Sequence, residues 1–116
     1  MNYEMNLENK YFNLIKAGKK KIEMRLNRID RREIKAGDTI TFRNNKTLEL
    51  LSCLVISKTL FRSFYDLYRA YPKSLLGYLP NEASNPSDMN KFYSDADIEK
   101  YGVVAIEITP IANKND

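Results

Sequence analysis

Three side chains set close together behind a glycine carry the best-placed chemistry in this chain. They lie in the stretch Gly18-Lys19-Lys20-Lys21-Ile22-Glu23-Met24-Arg25, spaced as Gly18-x-Lys20-x-x-Glu23-x-Arg25. Glu23 and Arg25 stand two apart, so on a β-strand they share one face and can meet the same ligand. An arginine offers a fork of donors that grips a phosphate or a base edge. A glutamate accepts from an exocyclic amine or a ribose hydroxyl, and Lys20 adds a mobile positive charge. Such a set suits a nucleotide. Lys20 and Glu23 are also the candidate catalytic pair, since a lysine among other positive charges can exchange protons with a carboxylate. The same spacing fits an exposed strand face on which Glu23 pairs with Lys21 and Arg25, an arrangement that contributes little to stability. Spacing alone leaves both readings open.

The flanking sequence indicates how these residues are positioned. Tyr3, Met5 and Leu7 alternate with Asn2, Glu4 and Asn6, the period of a half-buried strand. Tyr11, Leu14 and Ile15 come after Leu7 at helical spacing, which predicts a short helix over about residues 8–17. Gly18 stands where a helix ends on a residue of positive φ. Lys20 to Leu26 then reads as a second strand, with Ile22, Met24 and Leu26 inward and Lys21, Glu23 and Arg25 on the other face; Lys20 falls on the junction. Ile29 and Ile34 are expected to anchor a polar turn over 27–36.

Gly37-Asp38 marks a turn into a third strand with Ile40 and Phe42 inward. Asn44-Asn45-Lys46 predicts a hairpin turn, and the run from Thr47 to Leu60 changes phase near Leu50-Leu51, which predicts a bulge or bend there. Phe64, Leu67, Tyr68 and Tyr71 give a second helix ended by Pro72. Residues 73–86 read as an irregular excursion or lid, 87–100 as partly helical, and Val103–Ile111 as a central strand. Short strands with helices between them predict an α+β to mainly β fold, a small β-barrel decorated with short helices. The expected organisation is one domain over 1–111 with a flexible tail over 112–116.

Composition narrows the chemistry. The chain has no histidine and one cysteine, Cys53, which excludes His-based triads and zinc sites of the Cys/His kind. Cys53 sits in the apolar run Leu50–Val55 and reads as a buried small hydrophobe. No metal and no cofactor is expected; Asp95, Asp97 and Glu99 read as a solvated helix face. No apolar run reaches the roughly 20 residues of a membrane helix. With neither a targeting segment nor a disulfide pair, the cytoplasm is the expected location. Nine basic residues against three acidic ones lie between Lys16 and Lys35. Charge focused in this way predicts a basic patch with a polyanionic partner, RNA foremost. Tyr65, Tyr68 and Tyr71 are expected to pack more than to stack bases, while Tyr78 and Tyr93 lie where they could close over a ligand.

Residues 18–25 resemble the hallmark Gly-x-Lys-x-x-Glu-x-Arg of the ASCH family, a branch of the PUA-like superfamily. Tyr11–Ala17 fits the helix before that motif. Arg31-Arg32-Glu33-Ile34-Lys35-Ala36-Gly37-Asp38-Thr39-Ile40-Thr41-Phe42 is similar to the family's continuation beyond the motif, and Phe92-Tyr93-Ser94 with Tyr101–Ile108 is similar to its closing helix and strand. The resemblance spans about Asn2 to Ile111. It implies a PUA-like barrel with a nucleotide-binding cleft, and a role with RNA or a nucleoside, in RNA metabolism or translation-related regulation. It implies that Lys20, Glu23 and Arg25 line the cleft, with Lys21, Arg31 and Arg32 as further RNA-binding candidates. It also brings an enzymatic alternative. Some relatives hydrolyse N4-acetylcytidine with a lysine, a threonine and a glutamate. The lysine matches Lys20, but Glu23 stands where the threonine would be, which removes that hydroxyl. Ribonuclease activity is a further alternative.

Overall fold

The computed structural model describes residues 1–111; the expected tail over 112–116 lies outside them. Five strands form one mixed sheet that curls into a half-barrel: β1 (Asn2–Leu7), β2 (Ile22–Leu26), β3 (Thr39–Asn44), β4 (Leu50–Phe61) and β5 (Val103–Pro110). The spatial order is β1-β3-β4-β5-β2, with β1 parallel to β3 and the other neighbours antiparallel. β1 and β2 are therefore the two free edges, and curling brings them to face each other across an open seam. Helices α1 (Asn9–Lys16), α2 (Ile29–Arg32), α3 (Phe64–Ala70) and α4 (Asp95–Tyr101) decorate the sheet, with 3₁₀ turns at Lys73–Leu76 and Pro86–Lys91.

The central strand β5 is apolar over most of its length because it is buried on both faces. Val104, Ile106 and Ile108 face one core with Met5, Phe12, Ile15, Ile40, Phe42 and Val55. Val103 and Ala105 face a second core with Ile22, Met24, Leu26, Phe64, Leu67 and Met89. Helix α1 closes the first core with Phe12 and Ile15, both fully buried. The helix ends on Gly18 at φ 75°, with the Gly18 N–H donating to Ile15 O and the Lys19 N–H to Leu14 O. The left-handed turn aims the chain directly into β2.

Three expectations are corrected. The bulge in β4 lies at Ile56, where Val55 pairs with Ile108 and Ser57 with Glu107, leaving one residue over. The phase change near Leu50-Leu51 instead marks the start of the strand after a turn in which Leu48 takes φ 65°. Ile29 is no anchor: it is 78% exposed, while Ile34 is buried. Tyr65 does not pack, at 64% exposed, whereas Tyr71 packs edge-on against Phe61.

Candidate functional site

A cleft of about 710 Å³ opens along the seam between β1 and β2. Its base is formed by Lys20, Glu23, Met24 and Arg25. One wall is Asn6, Leu7 and Glu8 from the end of β1 with Lys10 and Tyr11 from α1. The other comes from the chain between Leu76 and Tyr93, with Tyr68 of α3. The stretch expected as an excursion or lid thus forms a wall. It is tied down by Lys21 N–H to Leu75 O (3.0 Å), Lys73 Nζ to Glu82 O (2.5 Å) and the Lys10–Glu82 ion pair (3.0 Å).

Lys20, Glu23 and Arg25 come together as a buried cluster rather than an open strand face. Lys20 is 3% exposed and Glu23 4%. Both Nε and Nη2 of Arg25 reach Glu23 Oε2, at 2.8 and 2.7 Å, and Nη2 also donates to Asn6 O at 2.9 Å. Arg25 on one free edge thereby holds the other and bridges the seam. Lys20 Nζ donates to Ile22 O (2.5 Å) and Leu76 O (3.2 Å) and pairs with Glu23 Oε1 (3.4 Å). Lys20 Nζ is thus held by two main-chain carbonyls and one carboxylate charge. Gly77 at φ 104° leaves room for the lysine stem, since a Cβ there would stand 3.0 Å from Lys20 Cδ.

Burial works against the Glu23 carboxylate, but the Arg25 and Lys20 charges and their hydrogen bonds overcome it and hold its pKa below the ordinary value. Burial pushes Lys20 below the ordinary lysine value, with Glu23 opposing that push. Expectation and structure differ at this cluster because period two assigns Glu23 and Arg25 to one face without saying what covers it. Here that face is covered: Glu23 is buried, the Arg25 side chain is 16% exposed, and Arg25 is held to Asn6 O of β1.

The remaining candidates stand apart. Lys21 is exposed and does not line the cleft. Arg31 is ion-paired to Asp30, and Arg32 Nε donates to Asn27 O at 3.3 Å; neither lines the cleft. Six of the nine basic residues between Lys16 and Lys35 are in ion pairs: Lys16, Lys20, Arg25, Arg28, Arg31 and Lys35.

Several lining residues, Tyr11 and Phe92 among them, escaped sequence reasoning, whereas Tyr78 and Tyr93 lie at the cleft as expected. Tyr11, Phe92 and Tyr93 bring aromatic rings to the cleft, with Tyr11 and Phe92 edge to face at 6.5 Å. Tyr78 O–H donates to Asp88 Oδ2 at 2.7 Å, so the 2.9 Å contact between the two phenols must be donated by Tyr68. Burial and the hydrogen bond donated to Asp88 push the Tyr78 phenol well above its ordinary value. Only the proximity of Tyr78 and Tyr93 to the irregular segment signalled any of this in the sequence.

Among solved structures, the fold matches the crystal structure of hypothetical protein PH0355 with a TM-score of 0.81 and 40% identity, over 96% of this chain and 100% of that one. It matches the solution structure of protein PF0455 from Pyrococcus furiosus with a TM-score of 0.71 and 38% identity, over 97% and 100%. The crystal structure of ASCH from Zymomonas mobilis shares the fold at 14% identity, with a TM-score of 0.65 over 95% of this chain and 70% of that one. Among curated proteins nothing matches. The half-barrel with its short helices is the α+β, PUA-like architecture expected from the sequence. A family model described as the ASCH domain matches residues 5–112, a span that takes in the seam and the Lys20–Glu23–Arg25 cluster, and the chain belongs to the ASCH domain family.

Proposed function

We propose that the seam cleft binds one nucleobase with its sugar, and that the protein engages RNA or a free nucleotide through it. The observation that carries this reading is the buried Glu23 carboxylate, clamped by Lys20 and Arg25 at the base of a cleft walled by aromatic rings. Flat rings stack on bases of any sequence, and a fixed carboxylate selects an exocyclic amine or ribose hydroxyl. A volume of about 710 Å³ is in the range of small-ligand sites. Charge in the lining balances, with Lys10, Lys20, Arg25 and Lys91 against Glu8, Glu23, Glu82 and Asp88. A groove that tracks a phosphate backbone carries excess positive charge, so this balance favours a single nucleoside. Lys21, Arg31 and Arg32, outside the cleft, are the candidates for flanking phosphates. Family membership supports a setting in RNA metabolism or translation-related regulation.

The enzymatic alternative, hydrolysis of a modified nucleoside such as N4-acetylcytidine or cleavage of RNA, draws on the burial that pushes Lys20 toward its neutral form. The hydrogen bonding weighs against it. Lys20 Nζ is engaged by two main-chain carbonyls and the Glu23 carboxylate, and a carboxylate with a depressed pKa is a weak base. Calorimetric titration with the four nucleoside 5′-monophosphates and with an unpaired oligoribonucleotide tests the reading. Binding with a shallow salt dependence is expected; no binding of either at low salt refutes it. Turnover of N4-acetylcytidine or RNA that vanishes in Lys20→Ala shifts the assignment to the enzymatic alternative.

A further inference from the structure

We infer that the main-chain N–H and C=O of Met24 form a subsite in the cleft that hydrogen-bonds the pairing edge of a nucleobase. This rests on the reading of the cleft as a nucleobase site and names the groups that read the base.

The register of β2 against β5 shows where these groups point. The two strands pair from Ile22↔Glu107 to Leu26↔Val103. Just beyond these ends, Ile108 N–H donates to Lys21 O (2.9 Å) and Asn27 N–H to Gly102 O (3.0 Å). Hydrogen-bonded positions alternate in an antiparallel pair, so Glu23 and Arg25 direct their main-chain groups to β5. Ile22, Met24 and Leu26 direct theirs the other way, off the free edge. An independent contact agrees: the Ile22 carbonyl on that edge accepts from Lys20 Nζ. Of these three residues only Met24 lines the cleft. Glu23 and Arg25 line it from one face of β2, and Met24 with Leu76 and Met89 from the other, which places the cleft directly off the strand edge.

The register leaves the N–H and C=O of Met24 unpaired with β5, and among the described residues no turn, loop or other main-chain group off that edge bonds them. Met24 is 7% exposed, and buried main-chain polar groups are almost always satisfied. One donor and one acceptor side by side, in the plane of the sheet, match the donor–acceptor edge of a nucleobase. Phe92 and Tyr93 stand in the same cleft to cover its flat face. An added peptide strand fits less well, because it needs such pairs at every second residue. The Ile22 carbonyl is already taken and Leu26 lies outside the cleft, so one pair is open.

The test is nuclear magnetic resonance of the ¹⁵N-labelled protein titrated with each of the four nucleoside 5′-monophosphates. The Met24 amide is expected to shift downfield and exchange more slowly with solvent, in step with the Phe92 and Tyr93 ring signals. A counterpart methylated on the pairing edge of the nucleotide that binds is expected to bind about tenfold more weakly, the effect of one lost buried hydrogen bond. Ring signals that move while the Met24 amide does not overturn the subsite and leave the nucleobase reading standing. No ring response to any of the four nucleotides overturns that reading and the subsite with it. Protection of Met24 and Leu26 together by an extended peptide, with none from nucleotides, overturns the base assignment.

Discussion

Replacing Arg25 by methionine should destabilise the protein and change the sign of its response to acid. The substitution keeps an apolar stem but removes both donors to Glu23 Oε2 and the bridge to Asn6 O. Glu23 is then left 4% exposed with Lys20 at 3.4 Å as its remaining charged partner. Removing one partner of a buried ion pair costs about 3–5 kcal/mol. The Arg25 side chain is 16% exposed, so the lower end applies, a loss of about 3 kcal/mol. For a chain of this length that corresponds to a fall in Tm of about 12 °C or more. In the native protein Glu23 titrates below its ordinary value, so its stabilisation is complete above the unfolded pKa and is lost as pH falls through the folded one. In the variant, burial is opposed mainly by Lys20 and the folded pKa rises past the unfolded one. Acidification from neutrality toward the unfolded carboxylate pKa should therefore narrow the stability gap to the native protein. Urea unfolding at several pH values measures both effects, and a double-mutant cycle with Glu23→Gln should return a coupling of about 1–3 kcal/mol. A loss below about 1 kcal/mol, with the gap constant in pH, would refute the view that Arg25 holds a buried charge.

Gly77→Ala should cost about 1–2 kcal/mol in urea unfolding, because φ 104° is unfavourable for an L-residue and the new Cβ would crowd Lys20 Cδ; unchanged stability would count against that packing. Ser63→Ala should cost about 1 kcal/mol in the same assay, since Ser63 Oγ caps α3 by accepting from Asp66 N–H. The Cys53 thiol, fully buried and pushed up to about 12 by burial, should resist a thiol reagent at neutral pH and react only as the protein unfolds; rapid labelling of the native state would contradict its placement. Phe92→Ala, at a residue 44% exposed, should leave the thermal midpoint nearly unchanged while weakening nucleotide binding about tenfold in calorimetry, the effect of one lost stacking contact.

Much of the local structure was legible because it is set by neighbours in sequence. The alternation over Asn2–Leu7, the helix closed by Gly18 and the apolar run of β5 each arise from periods and turn chemistry that need no distant partner. The bulge at Ile56 was not legible, since an extra residue in β4 exists only relative to the β5 register. Ile29 misled for a similar reason: its position in a polar turn resembles that of Ile34, but only Ile34 lies over the first core.

The Gly18–Arg25 stretch divides along the same line. Its residue types and period determined that Ile22, Met24 and Leu26 join one core and that Glu23 and Arg25 share the opposite face. Local chemistry also placed the turn at Gly18. Tertiary structure decided that this opposite face is covered, that Lys20 is spent on two carbonyls and Glu23, and that Arg25 reaches Asn6 across the seam. It also brought Tyr11, Tyr78, Phe92 and Tyr93 to one cleft and spread the basic segment into separate ion pairs. The physical reason is that period fixes only which side of a strand a residue takes. Whether that side meets water, a partner charge or a ligand depends on how the sheet curls and on which distant segments close over it.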